Sequence, residues 1–198
     1  MSKLQNAAGK GDLAAVTKHL GRHPGDLDQQ DQRGLTALHW ASYRGQLPVV
    51  RYLLERGAVP SLGNDAGYGP LMVASREGWS EVVACLLDGG ADSNAVTADG
   101  TSALMFAALY SKKAGLVEIL VNRGANPNHR QPNGVTVLMH GAMGGSADVV
   151  NALLLFGADP RAVDDQGRTA LSFASDRGFT EVAQILTAIE ESEEGGPT

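Results

Sequence analysis

The sequence predicts an all-α solenoid, in which short helix-turn-helix units stack side by side. Three observations predict this fold. Two series of short segments recur with one shared period, each period holds two short apolar stretches with helical spacing, and turn-forming residues lead into each period. Such units bury their apolar faces only against one another, so we expect a single elongated domain.

The first series begins at a glycine and carries an apolar residue four positions later. Its members are "GLTAL" from position 34, "GYGPL" from 67, "GTSAL" from 100, "GVTVL" from 134 and "GRTAL" from 167. The spacings are 33, 33, 34 and 33 residues. A second series, "RGAVPS", "GGADSN", "RGANPN" and "FGADPR", keeps the same phase. Two markers in one phase are much stronger evidence than a single motif.

Within a period, each element has a physical reason. Turn stretches such as "QDQRG" and "TADG" supply Asp, Asn and Gly for side-chain turn bonds and positive φ. A short helix such as "TALHWASYR" follows and ends at a glycine, at 45, 78 and 178. A second helix such as "LPVVRYLLERG" comes next, closed by a C′ glycine. Helices of about ten residues, roughly 15 Å long, are marginal alone, which requires neighbouring units to stack.

These elements together resemble the ankyrin repeat family, over about residues 2 to 189. The resemblance is carried by the turn, "TALH" at 36–39, the breaking glycine, the "VV" and "LL" pairs and the closing "GAD". Later units keep the leucine of this four-residue motif but differ from it at other positions, where they read "GPLM", "SALM", "TVLM" and "TALS". The resemblance implies that the first helices line a concave groove, that the turns between units project from it as β-hairpin fingers, and that His39 is a structural residue bonded to turn backbone.

We expect one domain made of successive units. Residues 1–33 form a degenerate N-terminal capping repeat and 167–189 the C-terminal cap, followed by a disordered acidic tail over 190–198. Full repeats are expected over 34–66, 67–99, 100–133 and 134–166. The 100–133 unit has one extra residue, which we place in a bulging, mobile loop at "LYSKKAG".

Composition excludes several classes. The 16 basic and 22 acidic residues give a net charge of −6, which argues against direct nucleic-acid binding and mildly favours a basic partner. Cys85 is the single cysteine, so an internal disulfide framework is excluded and a reducing, cytoplasmic location is expected, with a nuclear one left open. No apolar run is long enough for a membrane span. Gly21 lies between His19 and His23 and Pro24 follows them. Both residues break the helix on which the two histidines would share a face, so we predict no metal site.

No nucleophile, phosphate-loop or zinc-protease motif is present, and no carboxylates gather into an acid–base pair, so the sequence predicts no enzyme and no cofactor. The expected role is a protein-interaction module, monomeric alone, that acts as an adaptor, an inhibitor or a chaperone-like partner and holds a protein or extended peptide in its groove. The groove should be roughly 50–60 Å long, since packed helices lie about 8–10 Å apart.

The candidate contact residues follow from the helical phase and from the resemblance. The groove set is Trp40, Tyr43, Arg44, Arg76, Glu77, Phe106, Leu109, Tyr110, His140, Met143, Asp176 and Arg177. The fingertip set is Gln32, Arg33, Leu35, Asp65, Tyr68, Asp99, Asn133, Gln166 and Arg168. Exposed Trp, Tyr and Arg in a concave surface are typical of interface hot spots.

Two other interpretations stay open at this point. The small residues of "GAMGG" could deepen the groove near His140 and Met143, giving a small-ligand or enzymatic pocket. Alternatively, the chain could be a structural spacer, although its aromatic content speaks against that.

Overall fold

Six consecutive pairs of α-helices make up the described part of the chain, residues 1–194 of a computed structural model. Their bounds are α1 Lys3–Lys10, α2 Leu13–Arg22, α3 Ala37–Tyr43, α4 Leu47–Glu55, α5 Pro70–Glu77, α6 Ser80–Asp88, α7 Ala103–Phe106, α8 Ala114–Asn122, α9 Val137–Gly144, α10 Ala147–Leu155, α11 Ala170–Asp176 and α12 Thr180–Glu194. A 3-10 turn spans Pro24–Asp26, and α7 runs on into a π-helical turn at Ala107–Ser111. None of the described helices combines the length and apolar character needed to cross a bilayer.

The core lies between the two rows of helices. Each full repeat sends two adjacent apolar residues and a leucine one turn later inward from its second helix, as Val49, Val50 and Leu53 do from α4. The leucine of the first helix, for example Leu38, packs against them. Leu171 of α11 is only half-buried, because no further repeat covers that face within residues 1–194. Burial of this kind supplies the stability that helices of seven to nine residues lack alone.

The projecting turns are built by one polar side chain and one glycine. Asp31 Oδ1 accepts hydrogen bonds from the backbone N–H groups of Arg33 and Leu35, at 2.9 and 3.1 Å. Gly34 follows with φ +72°, a conformation that favours glycine because it has no Cβ. The expected hairpins are therefore tight turns, and β pairing in the described residues is limited to isolated bridges, Val96 with Ser102 and Arg130 with Thr136.

Adjacent units are locked together at the glycines that end the first helices. The Trp79 ring lies over Gly45 so closely that a Cβ there would be 2.7 Å from it. Trp79 Nε1 also donates to the Tyr43 carbonyl, at 3.1 Å. Phe179 covers Gly145 in the same way, three units closer to the C-terminus. Trp79 thus joins two repeats along one edge of the stack.

The extra residue of the 100–133 unit does not form the free bulging loop that we expected. The π-helical turn Ala107–Ser111 takes it up, and Lys112 leaves that turn with φ +53°. Ser111 Oγ donates to the Ala107 carbonyl at 2.7 Å, and Lys113 Nζ donates to the Gly78 carbonyl at 2.8 Å. A π turn is the usual way for a helix to accommodate one added residue.

Gly144 of α9 leaves room for this π turn. A Cβ at Gly144 would lie 2.7 Å from the Ala108 carbonyl oxygen and 2.8 Å from that of Leu109. The missing side chain therefore lets the widened backbone of the preceding repeat approach α9. This corrects the expectation that "GAMGG" deepens the groove, because backbone fills the space that the glycine leaves.

Helix α12 extends beyond the expected end of the last repeat. It runs to Glu194, so residues 190–194 are helical rather than disordered. Val182 and Leu186 anchor its first half in the core, and glutamate is a good helix former that lets the helix continue. The remainder of the predicted disordered tail, 195–198, lies outside the described residues.

The fit between Gly144 and the π turn predicts that Gly144→Ala lowers the free energy of unfolding by about 1–3 kcal/mol, because backbone cannot move aside as a flexible side chain can. Thermal denaturation should show this as a lower Tm. Gly115→Ala is the matched control, since Gly115 is also helical and has open space around its Cβ position. We expect Gly115→Ala to be neutral or mildly stabilising. Equal Tm values for the two variants would contradict this account of the π turn.

Candidate binding groove

The first helices of the repeats carry the candidate groove residues, and the structure separates them by exposure. Tyr43 and Tyr110 are 40% and 52% exposed, although both lie at the ends of helices that are otherwise buried. Arg44 and Arg76 are also exposed, whereas Trp40 is half-buried. These side chains remain available for contact with a partner.

Several other candidates have less freedom. Phe106, expected on the groove surface, is only 8% exposed because it packs between the rings of Tyr68 and Tyr110. Leu109 and Met143 are half-buried.

At the C-terminal end of the groove, Arg177 Nη1 donates to the Met143 carbonyl at 3.1 Å, while Asp176 stays exposed. Arg168 is held by Asp164, with Nε to Oδ2 at 2.9 Å, and its guanidinium lies 4.3 Å from the centre of the Phe173 ring. The Asp164 carboxylate in this pair is buried.

Aromatic rings and guanidinium groups form two contact clusters that share one pocket, and together we call them the aromatic–arginine patch. Arg44 lies over the Tyr43 ring at 5.1 Å, and Trp40 meets that ring edge-on at 6.5 Å. Arg76 lies over the Tyr110 ring at 5.4 Å. The patch consists of Trp40, Tyr43, Arg44, Tyr68, Arg76 and Tyr110. Glu77 touches its border, with Oε1 4.0 Å from Arg76 Nε.

A pocket of about 540 Å³ opens within the patch, between α3, α5 and the two turns that precede them. Trp40, Tyr43, Tyr68 and Val73 give it apolar walls. Two cations, Arg33 and Arg76, also line it, together with the fingertip residue Leu35 and the polar Asn64. Sequence reasoning placed Arg33, Leu35 and Tyr68 at the fingertips, and the structure brings them beside the groove residues of α3.

Asn64 was missed as a lining residue, although its place in the turn "NDAGYG" was the available signal. Its Oδ1 accepts from the N–H groups of Ala66 and Tyr68, at 3.0 Å each, and so shapes the turn that forms one wall. The remaining fingertip candidates are exposed on the turns and have no common centre: Gln32, Asp65, Asp99, Asn133 and Gln166.

His39 is a structural residue, as the resemblance implied. The Thr36 N–H donates to its Nδ1 at 3.1 Å, so the ring proton is on Nε2, which donates to the Tyr68 carbonyl at 2.9 Å. Burial lowers the pKa of His39 and keeps the ring neutral. The histidine therefore joins two repeats beneath the pocket and has no free nitrogen for chemistry.

His140 has a different environment in the groove. Its Nε2 lies 3.1 Å from Gln131 Oε1, and burial lowers its pKa to about 4. The ring is thus uncharged near neutral pH. Elsewhere, His19 pairs with Asp26 at 2.7 Å. Cys85 is half-buried on α6, and burial raises the pKa of its thiol.

Comparison with known proteins identifies the repeat. The family model described as ankyrin repeats (3 copies) matches residues 4–97, 60–130 and 104–194. Together these matches cover nearly the whole chain.

Among curated relatives, the palmitoyltransferase AKR1 of Lachancea kluyveri is 32% identical over 192 residues, covering 94% of this chain and 26% of that protein. The palmitoyltransferase ZDHHC17 of Homo sapiens is 32% identical over 187 residues, covering 77% of this chain and 30% of that protein. The putative ankyrin repeat protein YahD of Escherichia coli is 29% identical over 187 residues, covering 92% of this chain and 92% of that protein. The chain thus spans about a quarter of AKR1 but most of YahD.

The low pKa of His140 predicts acid sensitivity of the fold. In the unfolded chain this ring takes up a proton near pH 6.5, whereas the folded ring stays neutral until about pH 4. The free energy of unfolding should therefore fall as pH drops from 6.5 towards 4, by on the order of 2 kcal/mol from this residue. Denaturant unfolding at several pH values measures it. His140→Gln should flatten the dependence, and His23→Gln, at an exposed histidine, should not. Identical pH profiles for wild type and His140→Gln would refute the assignment.

Proposed function

The chain belongs to the ankyrin repeat family, whose members are generally protein–protein interaction modules, and from this premise we propose that it holds a protein segment or an extended peptide in its concave groove. The observation that carries the proposal is the aromatic–arginine patch. The patch keeps two tyrosines and two arginines exposed on a surface that the scaffold does not need for its own packing.

The chemistry of the patch supports a protein ligand. Tyrosine, tryptophan and arginine are the residues that most often dominate binding energy at interfaces. Here ring stacking restricts Tyr43 with Arg44, and Tyr110 with Arg76, before any partner arrives. Side chains already ordered in the free protein lose less entropy on binding, which favours affinity. A groove of roughly 50–60 Å suits an extended segment better than a small molecule.

An adaptor, an inhibitor and a chaperone-like partner are all compatible with this mechanism, because each needs only a rigid surface that captures another protein. We favour a non-catalytic role, since the matches to palmitoyltransferases cover 30% or less of those proteins. We further propose a reducing compartment such as the cytoplasm, in keeping with the single thiol of Cys85. The alternative of a small-ligand pocket beside Met143 gains no support, because backbone occupies the space beside Gly144.

The proposal predicts that Tyr43→Ala combined with Tyr110→Ala weakens peptide binding about tenfold or more. The peptides come from selection of a random display library on the wild-type protein, and fluorescence anisotropy gives the Kd. The Tm should fall only modestly, because Tyr43 is 40% and Tyr110 52% exposed.

Leu155→Ala is the control for that experiment. Leu155 is 87% exposed on α10, a second helix outside the groove, so its removal deletes apolar surface without touching the patch. Unchanged binding by the tyrosine variant would place the binding surface elsewhere. A large loss of Tm would show that the tyrosines belong to the core.

A further inference from the structure

We propose that the pocket between α3 and α5 takes a carboxylate-bearing stretch of an extended peptide, in which acidic side chains flank an aromatic one. This inference rests on the proposed function and names the chemical class of its ligand. It reverses the expectation of a basic partner that the net charge of −6 gave.

The charged groups around the pocket carry the argument. Arg33 and Arg76 line it, Arg44 stacks on one of its walls, and no carboxylate is among its lining side chains. Within residues 1–194, neither Arg33 nor Arg44 has an ion-pair partner, and Arg76 has only the exposed contact of 4.0 Å with Glu77. Exposed pairs at such distances contribute little, so a ligand carboxylate competes easily with Glu77.

The neighbouring carboxylates form no ion pair with Arg33 or Arg44 in the described part of the chain. Asp31 directs Oδ1 to the backbone N–H groups of Arg33 and Leu35, so it bonds the turn rather than a guanidinium. Asp65 lies on the next turn, and its Oδ1 is so close to Gly34 that a Cβ added there would be 2.8 Å from it. Each acidic group is thus tied to the projecting turns, while the arginine side chains face the pocket.

The geometry of the arginines suits a carboxylate. Arg44 and Arg76 lie with their guanidinium groups over the rings of Tyr43 and Tyr110. A stacked guanidinium is held by its face, which leaves the N–H groups at its edge free to donate to both oxygens of a carboxylate. The apolar walls formed by Trp40, Tyr43 and Tyr68 accept an aromatic side chain between two such contacts.

Local charge outweighs net charge at this site. At physiological ionic strength interactions between exposed charges are screened beyond about 8 Å, so the acidic residues of distant repeats have little effect on a ligand in the pocket. They do oppose a long polyanion that runs along the whole molecule. A short acidic peptide segment is therefore favoured over a nucleic acid.

A fluorescein-labelled heptapeptide tests this, with a central tyrosine, two glutamates on each side of it and one glycine at each end. When extended it spans at most about 25 Å, matching the two or three repeats around the pocket. Matched peptides carry glutamine or lysine in place of glutamate. We expect the glutamate peptide to bind wild type at least about tenfold more tightly than either, and increasing salt to weaken it. Arg33→Gln with Arg76→Gln should weaken binding about tenfold or more.

Arg51→Gln combined with Arg56→Gln is the charge-matched control, since both arginines are exposed on α4 or at its end, outside the groove, and this variant should bind like wild type. Circular dichroism melts confirm that the variants fold. Equal binding of the three peptides would overturn the inference, and so would an unchanged Kd in the arginine variant. It would also be overturned if single-stranded oligonucleotide displaced the labelled peptide at a lower concentration than the unlabelled glutamate peptide does. If library-selected non-acidic peptides still bind and still depend on Tyr43 and Tyr110, the proposed function stands and only the carboxylate preference fails.

Discussion

The contact between neighbouring repeats is the constraint on which the rest of the molecule depends. Helix α3 has seven residues and α4 nine, too few to be stable alone in water. Their apolar faces find cover in the adjacent repeat, and polar side chains join the turns above that core. Gln5 Nε2 donates to the Leu35 carbonyl at 2.9 Å, and Asn128 Nδ2 donates to that of Gly157 at 2.8 Å. Stacking therefore fixes both stability and the spacing of the groove.

Because stacking uses only part of each first helix, the remainder is free for recognition. In α3, Leu38 and His39 face the core and the next turn, while Tyr43 at the helix end stays exposed. Departures from the repeat are compensated locally, as when Gly144 leaves room for the π turn of the preceding unit. The solenoid can thus vary its groove residues, and absorb an added residue, without loss of the stack.

The sequence predicted the features that follow from the repeat period. The paired helices follow from a register that repeats every 33 or 34 residues, whereas the structural role of His39 was implied by the resemblance to the ankyrin repeat family. It could not predict the π turn, because the choice between a longer loop and a widened helix depends on Gly144 in the next unit. The sequence also placed Phe106 on the groove surface incorrectly, because helical spacing does not show which side chains neighbouring rings bury. The pocket escaped prediction because its walls come from two repeats.

The central claim is that the groove side of the first helices is the recognition surface and that the second helices are scaffold. Titration of the 15N-labelled protein with a library-selected peptide, followed by two-dimensional NMR, tests it most directly. If the groove side binds the peptide, the largest chemical-shift changes occur in α3, α5, the turns before them and the indole N–H of Trp40. Changes concentrated on α4, α6, α8 and α10 instead would contradict it.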